Sequence, residues 1–231
     1  FVSLFAGYFY EIMTLYFCLL IHEAGHYLII KIFKKEISLV EITPLGGILH
    51  INKCQNDKNI KELLIYLGGP FMSFCFYMFL QGVNAGEMLK KGALLVFYLN
   101  LLPISPLDGG KIIMCAKQYL FPYRKVLIIS DFLSITVAIG LALFFIDYIS
   151  YVIILGFFIY LNIADFKNIS YNYQNFLWYK YLYPNDKLKE KLIVNPPIFY
   201  KSFYKGYNNV FYAKDGFLTE NSVLKQLLEP K

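Results

Sequence analysis

Residues 22–26 read His-Glu-Ala-Gly-His, and the chain has only three histidines. On a helix His22 and His26 are four residues apart, so both imidazoles leave one face. Two nitrogens at that separation can grip one Zn²⁺. Glu23, beside His22, is placed to take a proton from a water polarised by the metal. The bland alternative is two core histidines that happen to fall four apart. A zinc site needs at least a third protein ligand and an open position. The candidate is Asp108, in Asn100-Leu-Leu-Pro-Ile-Ser-Pro-Leu-Asp-Gly-Gly110.

The elements that must position these residues lie in apolar sequence. His22 falls within Phe9–Phe33, a run rich in Leu, Ile, Tyr and Phe and long enough to cross a bilayer with some tilt. Ionisable groups inside a membrane are costly and mark function by default, which argues against chance for His22, Glu23, His26 and Asp108. Lys31, Lys34 and Lys35 close the run at a membrane face. His22 is eleven residues from Phe33, about 16 Å along a helix, so the motif belongs well below that face.

His-Glu-x-x-His in a membrane helix, followed much later by Asn-x-x-Pro-x-x-Pro-Leu-Asp-Gly-Gly, resembles the site-2 protease family of intramembrane metalloproteases. Within it the chain is most similar to the sporulation FB sub-group. That sub-group carries a Pro-x-Gly-Gly segment between the motifs, matched by Pro44-Leu-Gly-Gly47. The resemblance covers residues 4–165. It implies Zn²⁺ held by His22, His26 and Asp108, with Glu23 as the general base. It implies that Asn100 helps hold the substrate carbonyl or the oxyanion; an interhelical hydrogen bond is the structural alternative. It also implies a re-entrant hairpin around Pro44, Gly46 and Gly47 beside the active site, where an extended substrate strand can pair; a structural plug is the alternative. Many members carry Asn three residues after the Gly-Pro at 69–70. Here Ser73 stands there, and no catalytic role carries over to it.

Composition agrees with a membrane class. Of 231 residues, 58% are hydrophobic, 19% aromatic and only 16% charged, outside the range of ordinary soluble domains. The net charge of +6 comes from lysines in loops and tail. No Lys/Arg run or nucleic-acid motif accompanies it, so nucleic acid is not an expected partner. The four cysteines form no Cys-x-x-Cys pair and two lie in apolar runs, which argues against a disulfide framework. Cys18, one turn before His22, reads as a small buried apolar side chain. No cleavable signal peptide is visible. Phe1–Ala6 reads as the stump of a preceding helix, with Gly7 at the turn.

The expected fold is an α-helical polytopic membrane protein with about five to six transmembrane helices, a re-entrant β-hairpin and a small cytoplasmic tail. Residues 1–166 form the membrane domain and 167–231 the tail. Ile37–Ile51 is β-favouring and broken by Pro44 and Gly46-Gly47, with His50 read as a loop histidine. Asn52–Lys61 is a polar loop. Spans are expected at Glu62–Gln81, Gly92–Cys115, Val126–Ile146 and Ile149–Asp165, with a loop at Gly82–Lys91. Gly68 and Gly69 permit close helix packing, and Pro70 is expected to kink its helix. Pro103, Pro106 and Gly109-Gly110 should unwind the second of these spans and aim Asp108 at a metal. Asp131 is expected near a span end, at the interface. In the tail, Val210–Ala213 and Phe217-Leu218 should form a hairpin about Lys214-Asp-Gly216, and Asn221–Leu228 a short helix.

Twenty of the twenty-two Lys and Arg residues fall in segments 31–61, 111–125 and the tail, and two in the opposite loops. The positive-inside rule then puts the tail and the opening of the active site in the cytoplasm of a bacterial cell membrane. By resemblance the substrate is a membrane-associated precursor sigma factor in sporulation, and membrane inhibitor or regulatory proteins are partners along with the lipid bilayer. A general site-2 protease acting on an anti-sigma factor or signal-peptide remnant is the alternative. A metal-ion transporter is the alternative of a different class, but it needs no Glu beside a ligand His.

Overall fold

The computed structural model describes residues 8–35, 37–43, 46–51, 59–185, 187–194, 196, 199–213 and 216–229. The expected stump at 1–6, the hairpin apex Pro44, the loop residues 52–58 and the turn residues Lys214 and Asp215 lie outside them. Among the described residues four helices are long and apolar enough to cross a membrane: α1 (Phe9–Ile32), α2 (Asn59–Gly82), α5 (Tyr123–Phe144) and α6 (Ile149–Lys167). Two shorter helices, α3 (Glu87–Asn100) and α4 (Asp108–Gln118), take the place of the expected span at 92–115. The break between them, residues 101–107, holds Pro103 and Pro106, which supply no amide hydrogen to a helix. The loop before α3 is shorter than expected, because Glu87–Lys91 is already helical.

The chain divides into two compact units. The first comprises residues 1–52, 63–102 and 107–109. Here α1 runs alongside α3, and Cys18, Leu80, Ala93 and Val96 form a buried apolar cluster. Helices α1 and α2 meet main chain to main chain: a Cβ on Gly25 would strike the carbonyl oxygen of Gly68 and lie 2.6 Å from the Met72 Cβ. Small residues at such crossings let helix backbones touch in an apolar solvent, where close packing replaces the hydrophobic effect. Pro70 sits inside α2, which continues through it to Gly82. The hairpin pairs β1 (Ile37–Thr43) with β2 (Gly46–Ile51) antiparallel, with a register irregularity between Ile37 and Leu39. His50, read as a loop residue, belongs to β2 opposite Leu39.

The second unit comprises residues 53–62, 103–106 and 110–231. Helices α5 and α6 pack together along their length. Between them the chain at Ser105 is gripped from both sides: its amide donates to Ser134 Oγ at 3.0 Å, and Asn162 Nδ2 donates to its carbonyl at 2.6 Å. Asp131 corrects its expectation. It is the ninth residue of α5 and only 8% exposed, so it is a buried helix residue and not an interfacial one.

After Lys167 a single residue, Asn168, leads into α7 (Ile169–Leu182). A three-stranded sheet follows, with β3 (Glu190–Val194) parallel to β4 (Asn208–Ala213) and β4 antiparallel to β5 (Gly216–Leu218). The last helix is α8 (Glu220–Leu228), whose N-cap Thr219 accepts the Ser222 amide at 3.4 Å. Tyr173, Phe176, Leu177, Phe203, Phe211, Val223 and Leu224 make the apolar core of this part. Lys180, fully buried, donates to both oxygens of Glu220 at 2.6 and 2.7 Å and to the Tyr207 carbonyl at 2.8 Å. A charge removed from water needs this many partners to be tolerated. Lys205 likewise reaches Glu62 at 2.8 Å, and Asn59 donates to the Lys205 carbonyl at 3.1 Å, so the first turn of α2 is tied to this unit.

Candidate metal centre

Three side chains converge in the first unit. Asp108 Oδ2 lies 2.9 Å from His22 Nε2 and 2.9 Å from His26 Nε2, and the two nitrogens are 3.2 Å apart. All three residues are buried. Among the described residues this is the group of His, Cys, Asp and Glu whose ligand atoms lie close enough together to hold a metal ion. Metal–nitrogen and metal–oxygen bonds of about 2.0–2.1 Å in a tetrahedral site put the ligand atoms about 3.3 Å apart. The observed triangle is close to that size.

Hydrogen bonding decides which atoms of the rings face one another. His26 Nδ1 is 2.7 Å from the main-chain carbonyl of Ile65. A carbonyl only accepts, so Nδ1 carries the hydrogen and the neutral ring presents a bare Nε2. That lone pair points at a carboxylate oxygen, which also only accepts. Two acceptors at 2.9 Å repel unless a positive charge lies between them. The donor set, two imidazole nitrogens and one carboxylate oxygen, is what zinc takes in catalytic sites. His22 Nδ1 pairs with Ser73 Oγ at 2.9 Å, the second outer contact of the kind that orients metal-binding imidazoles.

Helix α2 supplies the floor. Ile65, Gly69 and Ser73 are spaced four apart and so share one face. Ile65 and Ser73 hold the two rings, and Gly69 lies between them. A Cβ on Gly69 would strike His26 Nε2 and come within 2.5 Å of His22 Nε2. Any side chain there would occupy the space the ligand atoms surround. Glu23 is half-buried next to His22 on α1.

The other candidates fall as follows. Asn100 is half-buried at the C-terminus of α3, and its Nδ2 donates to the Val96 carbonyl of its own helix at 3.0 Å. Gly46 and Gly47 open β2, opposite Thr43 and Ile42, and Pro44 lies outside the described residues. Gly109 and Gly110 fit the turn that leads into α4: a Cβ on Gly109 would strike the Leu101 and Leu102 carbonyl oxygens, and one on Gly110 would lie 2.6 Å from the Ser105 amide. Sequence reasoning missed Ser73 and read Gly69 only as a packing residue. The usable signal was their spacing, since both share a helical stripe with Ile65.

Fold and site together define a polytopic helical membrane protein with a buried His-His-Asp group of metal-ligand type, the histidines on α1 and the aspartate at the start of α4. Comparison with known proteins places it more closely. Residues 10–91 match peptidase family M50. The chain is 27% identical over 132 residues to stage IV sporulation protein FB of Bacillus subtilis, covering 54% of this chain and 46% of that protein. It is 27% identical over 124 residues to a zinc metalloprotease of Methanocaldococcus jannaschii, covering 49% of this chain and 36% of that one. The chain thus spans less than half the length of these curated relatives. Its fold is similar to the site-2 protease structure from M. jannaschii, with a TM-score of 0.54 and 24% identity over 67% of this chain and 76% of that one. By these matches the chain is similar in sequence to proteins of peptidase family M50 and similar in fold to a site-2 protease.

Proposed function

We propose that this protein is an intramembrane zinc endopeptidase that cuts a membrane-associated protein. The observation that carries the proposal is the His22–His26–Asp108 triangle with Glu23 on the same helix turn. His22, His26 and Asp108 hold the metal. When bound, zinc supplies a Lewis acid that polarises water and the scissile carbonyl. Glu23 takes the proton of the attacking water at its carboxylate and returns it to the leaving amine. Ile65 and Ser73 fix the two imidazoles, and Gly69 keeps their Nε2 atoms clear. Asn100 is assigned to the substrate carbonyl through the second hydrogen of its Nδ2, the first being donated to the Val96 carbonyl. A helical substrate hides its carbonyls, so the cut segment must be extended. An edge of the β1–β2 hairpin, with Gly46 and Gly47 in β2, is assigned together with Pro44 to receive it by strand addition.

Residues 1–166 are the proposed protease domain and 167–231 a cytoplasmic module for docking or regulation. The bias of Lys and Arg supports an active site and tail facing the cytoplasm. The proposed substrate is a precursor sigma factor, with membrane proteins that restrain the enzyme. Similarity to a protein named for sporulation supports it. The test is co-expression with the sigma-factor precursor of the same genome, wild type beside Glu23→Gln. Cleavage by the wild type alone supports both enzyme and substrate. Cleavage by neither, with zinc retained by both, removes the substrate. Equal cleavage by both removes the mechanism.

A further inference from the structure

Helix α7 carries an outward face that is not built for water. Among its residues Ile169–Leu182, one is charged, Lys180, and that one is fully buried against Glu220. Tyr173, Phe176 and Leu177 are buried beside it, which fixes the inward face. The opposite face presents Tyr171 at 64% exposure, Trp178 at 43% and Leu182 at 61%. Spacings of seven and four residues put these three within a narrow stripe. The remaining exposed positions of the helix, Ser170, Asn172, Gln174 and Asn175, are uncharged. Helix α8 of the same unit shows the ordinary pattern instead, with Lys225 and Gln226 exposed opposite buried Val223 and Leu224.

The position in the chain says what covers the stripe. Helix α6 exposes Ile149, Ile153, Phe157 and Tyr160 at spacings of three and four, the lipid-facing surface of a span. It ends at Lys167, and Asn168 joins it to α7 with nearly helical dihedrals, φ −90° and ψ 4°. The stripe of α7 therefore begins within four residues of the end of a membrane-spanning helix. Tyr and Trp with an apolar neighbour and no charge are the residues of the headgroup zone, where amphipathic rings are half in hydrocarbon and half in water.

We infer that α7 lies at the bilayer surface with Tyr171, Trp178 and Leu182 in the headgroup region, and that this contact anchors the module formed by residues 169–229 to the membrane. The contact rests on apolar area and aromatic rings, so neither anionic lipid nor low salt is needed for it. It is independent of the proposed proteolysis.

Trp178 is the sole tryptophan of the chain, so emission excited at wavelengths beyond the tyrosine absorption reports this face alone. The experiment uses the unlabelled whole chain in phosphatidylcholine vesicles. Lipids brominated near the headgroup end of the acyl chain should quench most of the emission, and more than lipids brominated near the chain terminus. Iodide should quench little, and high salt should change neither result. Strong iodide quenching without bromolipid quenching would place Trp178 in water and overturn the inference. Protection from both quenchers would show a protein covering the face, a second copy or a partner, and would overturn it equally. Leu182→Glu, at an exposed position outside the core, should reduce bromolipid quenching and shift emission to the red. An unchanged Leu182→Glu signal would also sink the assignment.

Discussion

His26 donates its Nδ1 hydrogen to the main-chain carbonyl of Ile65 across 2.7 Å. One backbone oxygen on α2 therefore selects the tautomer of a side chain on α1 and turns a bare nitrogen toward Asp108. No substitution can delete that oxygen, so the neighbouring ring offers the test. His22 relies on the Ser73 hydroxyl at 2.9 Å. Ser73→Ala should weaken zinc affinity about 10–100-fold without unfolding the protein. Competition with a chromophoric chelator reads this directly, and Ser73→Thr should restore much of the loss.

Gly69 and Gly25 fail differently when changed to alanine. The Cβ at 69 would meet both Nε2 atoms, and the one at 25 would meet the Gly68 backbone. Gly69→Ala should abolish stoichiometric zinc while helical content and thermal stability change little. Gly25→Ala should force the helices apart and lower thermal stability. Metal content and circular dichroism on both proteins separate the two.

Glu23→Gln keeps the shape of the side chain and removes its basicity. Zinc content should stay at the wild-type level, and peptide cleavage should fall about 10²–10⁴-fold. His22→Ala and Asp108→Ala should instead lose the metal together with any cleavage. A Glu23→Gln variant that transports or cleaves as the wild type does would remove the proposed role.

The Lys205–Glu62 pair is nearly out of water on both sides, with side-chain exposures of 7% and 5%. Lys205→Met leaves Glu62 buried without its cation, at a cost of about 3–5 kcal/mol. The double variant Glu62→Leu with Lys205→Met should recover much of that in thermal unfolding followed in detergent. No recovery would show that the pair does more than neutralise charge.

Tyr173 gives a pH test. Burial raises the pKa of its hydroxyl above the usual tyrosine value, and the hydroxyl donates to the Tyr200 carbonyl at 2.5 Å. A raised folded pKa means that the folded state keeps its proton longer than the unfolded state does. Its stabilisation is therefore complete below about pH 10 and is lost as the pH rises through the folded value. Thermal stability should fall on the alkaline side, and the fall should be shallower in Tyr173→Phe. Identical slopes in the two proteins would exclude the group.

Much of this was legible in the chain. The i, i+4 histidines needed only helical periodicity, and two prolines with two glycines announced that the chain around Asp108 would not be a regular span. The tail hairpin and final helix followed from turn residues and apolar spacing. What escaped reading depends on neighbours distant in sequence. Ser73 and Gly69 gain meaning only because α2 crosses α1 at Gly25, a contact that no local pattern encodes. Asp131 looked interfacial because a carboxylate in an apolar run is expected at its edge. In the structure the helix begins earlier, at Tyr123, and the residue falls inside it. The strand assignment of His50 was lost because the hairpin was bounded by composition and not by pairing.

The touching backbones of Gly25 and Gly68 also restrict traffic. Each bond hydrolysed by the proposed enzyme consumes a water molecule, and each cut presents a fresh stretch of chain. At Gly25, next to His26 and one turn from His22, the seam between α1 and α2 leaves no room for a side chain between the two main chains. Neither reactant can pass between the two helices at that crossing, so the approach to His22 and His26 lies to either side of it.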